Sequence, residues 1–279
     1  PREGRWRVDP ADPDALVRLL QIARQVDGPF AGIAHLFAIE APCSFAATAD
    51  PIRAQARSCG SLLTVLQYLV QDAIPLSRLC VFTRSVQALP DHPDPIAVDQ
   101  APLLGLARAI AVEHPELGCV SIDVGADAGP SLANELLCRR DETEIAIRGT
   151  QRFAPRLVHA DVPERVPIDI HGDGSYLITG GLGALGLQVA TWLVECGARY
   201  LTLLGRRGPS SEVQRAVDAL RKQGATVRIE RVDLGDPEAC RELARKLHRE
   251  GPPVRGVVHA AGVVEGAVAA EQRWDSFER

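Results

Sequence analysis

"YLITGGLGALGLQVA", residues 176–190, is an apolar, β-branched run that opens into closely spaced glycines and resumes as a helical pattern. Glycine loses more backbone freedom on folding than any other residue and weakens the interior of either element. A cluster of glycines at such a junction therefore signals that something approaches the main chain closely. A phosphate group fits. The loop reads Gly181-x-Gly183-x-x-Gly186, with Thr179 and Gly180 before it. In a dinucleotide site the first glycine allows the tight turn, the second admits the pyrophosphate, and the third lets helix and strand pack closely. Free N–H groups and the partial positive charge of the helix start then hold the phosphates.

Outward from this loop, strand and helix alternate. "SYLIT" is read as a strand, Leu185 to Cys196 as a helix stopping at Gly197, and "RYLTLLG" as a strand buried on both faces. A helix from about Ser211 to Gln223 is capped by serine and Gly224, and "TVRIERVDL", "DPEACRELARKLHRE" and "VRGVVHAAG" continue as strand, helix, strand. The alternation predicts an α/β fold with a parallel, right-handed, doubly wound sheet.

The first half has the same rhythm without the glycines. Strands are expected near 31–38, 78–83 and 118–123, helices near 14–26, 60–72 and 102–114, and a strand pair at 144–148 and 153–158. The polar, proline-bearing stretch from His159 to Gly174 reads as a linker. The expected division is a first subdomain over 1–160, a linker over 161–173 and a second subdomain over 174–279. "GIAHLFAIE" from Gly32 can be laid on "GVVHAAGVV" from Gly256, so that His35 meets His259 and Ala38 meets Gly262. The overlay suggests two related Rossmann-like halves, the first a cofactor-free pseudo-Rossmann unit. Chance likeness of two buried strands is the alternative.

Bulk properties narrow the function classes. The 279 residues are 46% hydrophobic, enough for one large or two ordinary cores. A net charge of −5 argues against nucleic-acid binding, which needs a basic face. The absence of a long apolar run or signal-peptide core leads to an expectation of a soluble, cytoplasmic protein with no membrane partner. The seven cysteines (43, 59, 80, 119, 138, 196 and 240) are scattered and read as buried free thiols, and no structural metal is expected. The chain contains no methionine and begins with proline, which suggests a piece of a longer polypeptide.

The end of the second strand, "LLGRRG", carries Gly205, Arg206 and Arg207 where an NAD site usually has an acid. A guanidinium suits the 2′-phosphate of NADPH, with Arg206 as leading contact and Arg207 second, while a solvated basic turn is the plainer reading.

Together, "YLITGGLGALGLQVATWLVECGARYLTLLGRRG", "VDLGD", "RGVVHAAGVVEGA" and "WDSFER" resemble the ketoreductase domain of modular type I polyketide synthases, in the short-chain dehydrogenase/reductase superfamily. Upstream, "LLGLARAIAVEHPELGCVSIDVG" and "ETEIAIRGTQRFAPRLV" resemble the structural subdomain that precedes it. The resemblance implies NADPH as cofactor. It matches Thr179, Gly181, Leu182, Gly183, Leu185 and Gly186 to the phosphate-binding turn and Arg206 to the 2′-phosphate contact. It places Asp233 and Leu234 against the adenine, and Ala260, Ala261 and Gly262 beneath the ribose and nicotinamide. His259 is open between a core and a functional role.

The same resemblance implies reduction of a β-ketoacyl thioester carried on an acyl carrier protein by phosphopantetheine, beside neighbouring domains of one megasynthase. Its reacting lysine, serine and tyrosine are expected beyond Arg279, because no Tyr-x-x-x-Lys occurs and Lys222 and Lys246, the only lysines, come too early. No catalytic residue is assigned within the chain, and the fragment alone is expected to be inactive. Val264, Glu265 and Gly266 stand where one stereochemical class reads Leu-Asp-Asp, which leaves product configuration open. A structural or docking element, or another reductase or epimerase on the same fold, are the alternatives.

Overall fold

The computed structural model describes residues 5–39, 50–92, 95–126, 132, 135–136, 141–161, 168–262 and 266–278. Two compact units result, one of residues 1–159 with 265–279 and one of residues 160–264.

In the first unit, helix α1 (Pro13–Asp27) starts at Asp12, whose carboxylate accepts from the Ala15 N–H, and ends at Gly28 with φ 86°. Strand β1 (Ile33–His35) is short, and helix α2 (Pro51–Gln55) follows. A π-helical turn over Ala56–Gly60 joins α2 to α3 (Ser61–Gln71), so the helix expected near 60–72 begins earlier. Asp50 caps that start by accepting from the Arg53 N–H, and Pro51 occupies the first turn, a position where its missing N–H is harmless. Strands β2 (Leu79–Arg84) and β3 (Cys119–Val124) flank helix α4 (Ala101–Glu113). Strands β4 (Glu144–Arg148) and β5 (Gln151–Phe153) close the sheet.

The order is β1-β2-β3-β4-β5, parallel except for the last pair. The strand expected at 153–158 lies at Gln151–Phe153 instead. Gly149, φ 55°, opens a two-residue turn between the paired Arg148 and Gln151, and glycine at that place is a hairpin-turn signal. One face of the sheet packs Leu79, Val81 and Cys119 against Leu62, Leu66, Leu103 and Ile110 of α3 and α4. The other face gathers Phe82, Ile122, Ile145 and Ile147.

The C-terminal stretch 266–278 belongs to this first unit, although the sequence places it with the second. Ala269 is buried in the α3–α4 core and its N–H donates to Glu113 Oε2 at 2.5 Å. Gln67 Nε2 donates to the Gln272 carbonyl at 2.8 Å, and the Trp274 ring stands 3.4 Å from where a Gly60 Cβ would be. Burial of these side chains explains the return of the chain.

The second unit has four parallel strands in the order β8-β7-β6-β9. They are β6 (Ser175–Thr179), β7 (Tyr200–Gly205), β8 (Thr226–Arg231) and β9 (Val254–His259). Helices α5 (Ala184–Glu195), α6 (Ser211–Lys222) and α7 (Pro237–Arg249) connect them. Ile178, Leu201 and Leu203 interlock with Ala190, Leu193, Val217 and Leu220 to form the core. Each such buried leucine, isoleucine or valine stabilises the unit by about 1.5–3 kcal/mol. The strand order reverses beside β6, where β9 crosses to the other side of it, and crevices for nucleotides open at such reversals. Among the described residues no helix is long and apolar enough to cross a membrane.

Candidate functional site

All four strands of the second unit end on one edge, so Thr179, Gly205, the loop after Arg231, and His259 share that edge. The glycine turn leaves β6 there. Gly180, absent from the spacing pattern, is the position that demands glycine for its conformation: φ is 64°, and a Cβ would stand 2.6 Å from the Ala260 carbonyl oxygen. Gly186 is required by packing, because its Cβ would lie 2.3 Å from the Gly180 oxygen and 2.6 Å from Gly181 Cα. Gly181 is likewise pressed between Ile178 and Leu203. Gly183 differs. A Cβ there meets only the Gly180 oxygen at 3.2 Å, and at Gly262 it meets nothing within 4 Å. The protein's own packing thus leaves these two approaches open.

Gly183 caps α5 without any side-chain hydrogen bond. The first helical bond runs from Leu187 N–H to the Gly183 carbonyl, and Gly183 N–H donates back to Gly180. The amides of Ala184, Leu185 and Gly186 then have no acceptor among the described residues, and Ala184 and Leu185 are exposed. Unsatisfied N–H groups at a helix start, with the helix dipole behind them, form an anion-binding cradle. The donor set therefore fits a diphosphate. Leu182 reaches sideways over Gly205 at the end of β7, while Leu185 is 63% exposed beside the turn.

Arg206 and Arg207 follow Gly205 directly, and both are exposed. Asp233 lies in the loop after β8 and its Oδ1 accepts from the Gly235 N–H at 3.0 Å. The cap of α7 is a separate residue, Asp236, which accepts from Glu238 and Ala239. Leu234 lines a groove of about 690 Å³ with Leu177, Thr179, Leu204 and Leu243, on the sheet face away from the main core.

Thr179 ties β6 to the segment after β9. Its Oγ1 lies 2.8 Å from His259 Nδ1 and 3.1 Å from the amide nitrogens of both Ala260 and Ala261. Sequence reading placed Thr179 and Ala260–Gly262 in the site and left His259 undecided; the structure joins them. The signal for Gly180 was its place immediately after the strand, where the chain must turn.

Lys246 Nζ is bound by both carboxylate oxygens of Glu230, at 2.8 and 2.9 Å, a contact that raises its pKa. Val264 and Glu265 lie outside the described residues. So do Cys43 and Cys138. Cys59, Cys80 and Cys119 are buried free thiols, whereas Cys196 is exposed and Cys240 half-buried, a departure from uniform burial. Cys196 follows the last turn of α5, past its inward-facing Leu193 and Val194. No cluster of metal-ligating side chains occurs among the described residues.

Residues 174–279 match the family described as "KR domain", and residues 5–157 match "Polyketide synthase extender module SpnB, Rossmann fold domain". The chain is 40% identical over 232 residues to the 5-methyl-1-naphthoate synthase of Streptomyces sahachiroi, which covers 76% of the chain and 13% of that protein. An A1-type ketoreductase structure superposes with a TM-score of 0.79 at 28% identity, over 100% of the chain and 58% of its own. An A-type ketoreductase from a modular polyketide synthase gives 0.78 at 28% identity, over 96% and 56%.

Proposed function

The chain belongs to the ketoreductase region of modular polyketide synthases, and from this premise we propose that its second unit holds NADPH for reduction of a β-ketoacyl thioester to the β-hydroxyacyl form. The acyl chain would be carried by the phosphopantetheine arm of an acyl carrier protein, with the other domains of the same synthase around it. The first unit serves as structural support.

The observation that carries this reading is the trio of unsatisfied amides, Ala184 to Gly186, at a glycine-lined turn where the strand order reverses. Those N–H groups would hold the pyrophosphate. The exposed Arg206 guanidinium would take the 2′-phosphate, with Arg207 beside it. The other Asp233 carboxylate oxygen, without a partner among the described residues, would accept from the adenine amine, beside Leu234. Ala260, Ala261 and Gly262 would lie beneath ribose and nicotinamide, small enough to permit contact. NADPH supplies the hydride when bound. The group that protonates the forming alkoxide is assigned outside residues 1–279. In support, no Tyr-x-x-x-Lys occurs in the sequence, the Tyr176 hydroxyl accepts from the His171 N–H at 2.8 Å, and Lys246 is held by Glu230.

Titration of the chain with NADPH and NADH tests the reading. Arg206→Glu is expected to weaken NADPH binding by about tenfold or more, the scale of one charge-assisted hydrogen bond, and to leave NADH nearly unchanged. Equal NADPH affinity in the variant overturns the 2′-phosphate assignment.

A further inference from the structure

We propose that His259 is a positioning residue for the coenzyme crevice: as a neutral imidazole protonated on Nε2, it takes the hydroxyl hydrogen of Thr179 and turns both oxygen lone pairs of Thr179 onto the main chain after β9. This role presupposes the coenzyme reading of Ala260–Gly262 given above.

A threonine hydroxyl has one hydrogen and two lone pairs. Two main-chain amides, Ala260 and Ala261, point at Thr179 Oγ1 from 3.1 Å each, and an amide N–H can only donate. They take both lone pairs. Thr179 is 5% exposed, so the remaining hydrogen goes to the one acceptor within reach among the described residues, His259 Nδ1 at 2.8 Å. Nδ1 must then be bare, and the ring proton sits on Nε2.

The geometry matters because of where the sheet stops. Thr179 and His259 are paired across β6 and β9, and Ala260 N–H still reaches the Thr179 carbonyl at 3.1 Å, the last link of that ladder. One residue further, Ala261 N–H has the Thr179 hydroxyl as its sole acceptor among the described residues. The path of Ala261 and Gly262 is thus set by a side-chain oxygen, and that oxygen is oriented by His259. Removal of the imidazole frees the hydroxyl to rotate its hydrogen toward either amide, which drives that amide away.

Long-range ¹H–¹⁵N NMR of the 279-residue chain identifies the tautomer, with the His259 signal assigned from its loss in His259→Asn. A bare Nδ1 is expected, and a proton on Nδ1 overturns the proposal. The functional arm uses NADPH affinity. Asparagine places its amide oxygen near the Nδ1 position, so His259→Asn is expected to bind within about twofold of the unsubstituted chain. His259→Leu is expected to lose about three- to tenfold, the scale of one neutral hydrogen bond. Glutamine, whose oxygen reaches the Nε2 position instead, is expected to behave as leucine. In a Thr179→Val background, His259→Leu is expected to add nothing further. Asparagine as weak as leucine, or additive losses, overturns the role. If the unsubstituted chain does not bind NADPH, the coenzyme reading fails, and the tautomer together with the melting-temperature coupling of Thr179 and His259 still decides the hydrogen-bond arrangement.

Discussion

The carboxyl ends of the two sheets solve opposite problems with the same strand direction. In the second unit the strand order reverses at β6, and the glycine turn leaves amides unsatisfied beside the reversal. In the first unit the strands among the described residues follow chain order, so they show no reversal at which a crevice would open. Its edge is plugged by charge. Asp123, one residue before the end of β3, accepts from Thr83 Oγ1, from the amides of Val86 and Gln87, and from Arg148 Nη2 at 2.8 Å. The Asp123 and Arg148 side chains are both 2% exposed. In this Rossmann-like unit the strand order among the described residues stays sequential, and a buried ion pair fills the end of the sheet.

The sharpest way to break that contrast is Asp123→Ala. Removal of one partner of a buried pair strands the other and costs about 3–5 kcal/mol. Chemical denaturation of the first unit is expected to show a loss on that scale, while NADPH affinity measured well below the transition stays unchanged. A comparable loss of coenzyme affinity would mean that the plug also shapes the crevice.

The two histidines at the strand ends extend the comparison. His259 is exposed, whereas His35 is 3% exposed, hydrogen-bonded through Nε2 to Ser61 Oγ at 2.7 Å. Burial holds the His35 pKa down at about 4, against 6.5 for a free imidazole. Above pH 6.5 both folded and unfolded chains carry it neutral. Between 6.5 and about 4 the unfolded chain binds a proton that the folded one refuses, so stability falls as pH falls. Below about 4 the loss stops growing. The full effect is about 3 kcal/mol, and His35→Gln is expected to flatten this part of the stability–pH curve. An unchanged slope in the variant would assign the acid loss to other groups.

Much of this is legible in the sequence. The period-two and 3.6-residue patterns located β2, β3, β6 and β7 with their helices, because buried apolar side chains dominate there. The glycine turn was legible because Gly181, Gly183 and Gly186 stand at fixed spacing between a strand and an amphipathic helix, where either tight packing or a close approach calls for glycine. What escaped depended on partners distant in sequence. Ala269 and Trp274 gave no sign that they would join the α3–α4 core, since an apolar pair does not name its neighbour. Nothing in the sequence marks Asp123 and Arg148 as partners, as a buried pair is recognisable only once the strands bring it together. The early start of the helix before Ser61 was readable from Asp50-Pro51, a cap and first-turn pair, but the π-turn was not.

Two glycines separate fold from binding within the crevice itself. A Cβ at Gly186 would meet main chain at 2.3 Å, which no side-chain movement relieves. Gly186→Ala is therefore expected to cost about 1–3 kcal/mol of stability by overpacking, read as a lowered unfolding midpoint of the second unit. A Cβ at Gly183 meets one oxygen at 3.2 Å and otherwise open space, so Gly183→Ala is expected to cost only about 1 kcal/mol, from a poorer helix cap and one tight contact. The added methyl group instead occupies the approach assigned to the pyrophosphate, and NADPH affinity is expected to fall by about tenfold. If Gly183→Ala binds normally, the diphosphate lies elsewhere, and the spacing of the glycines serves packing alone.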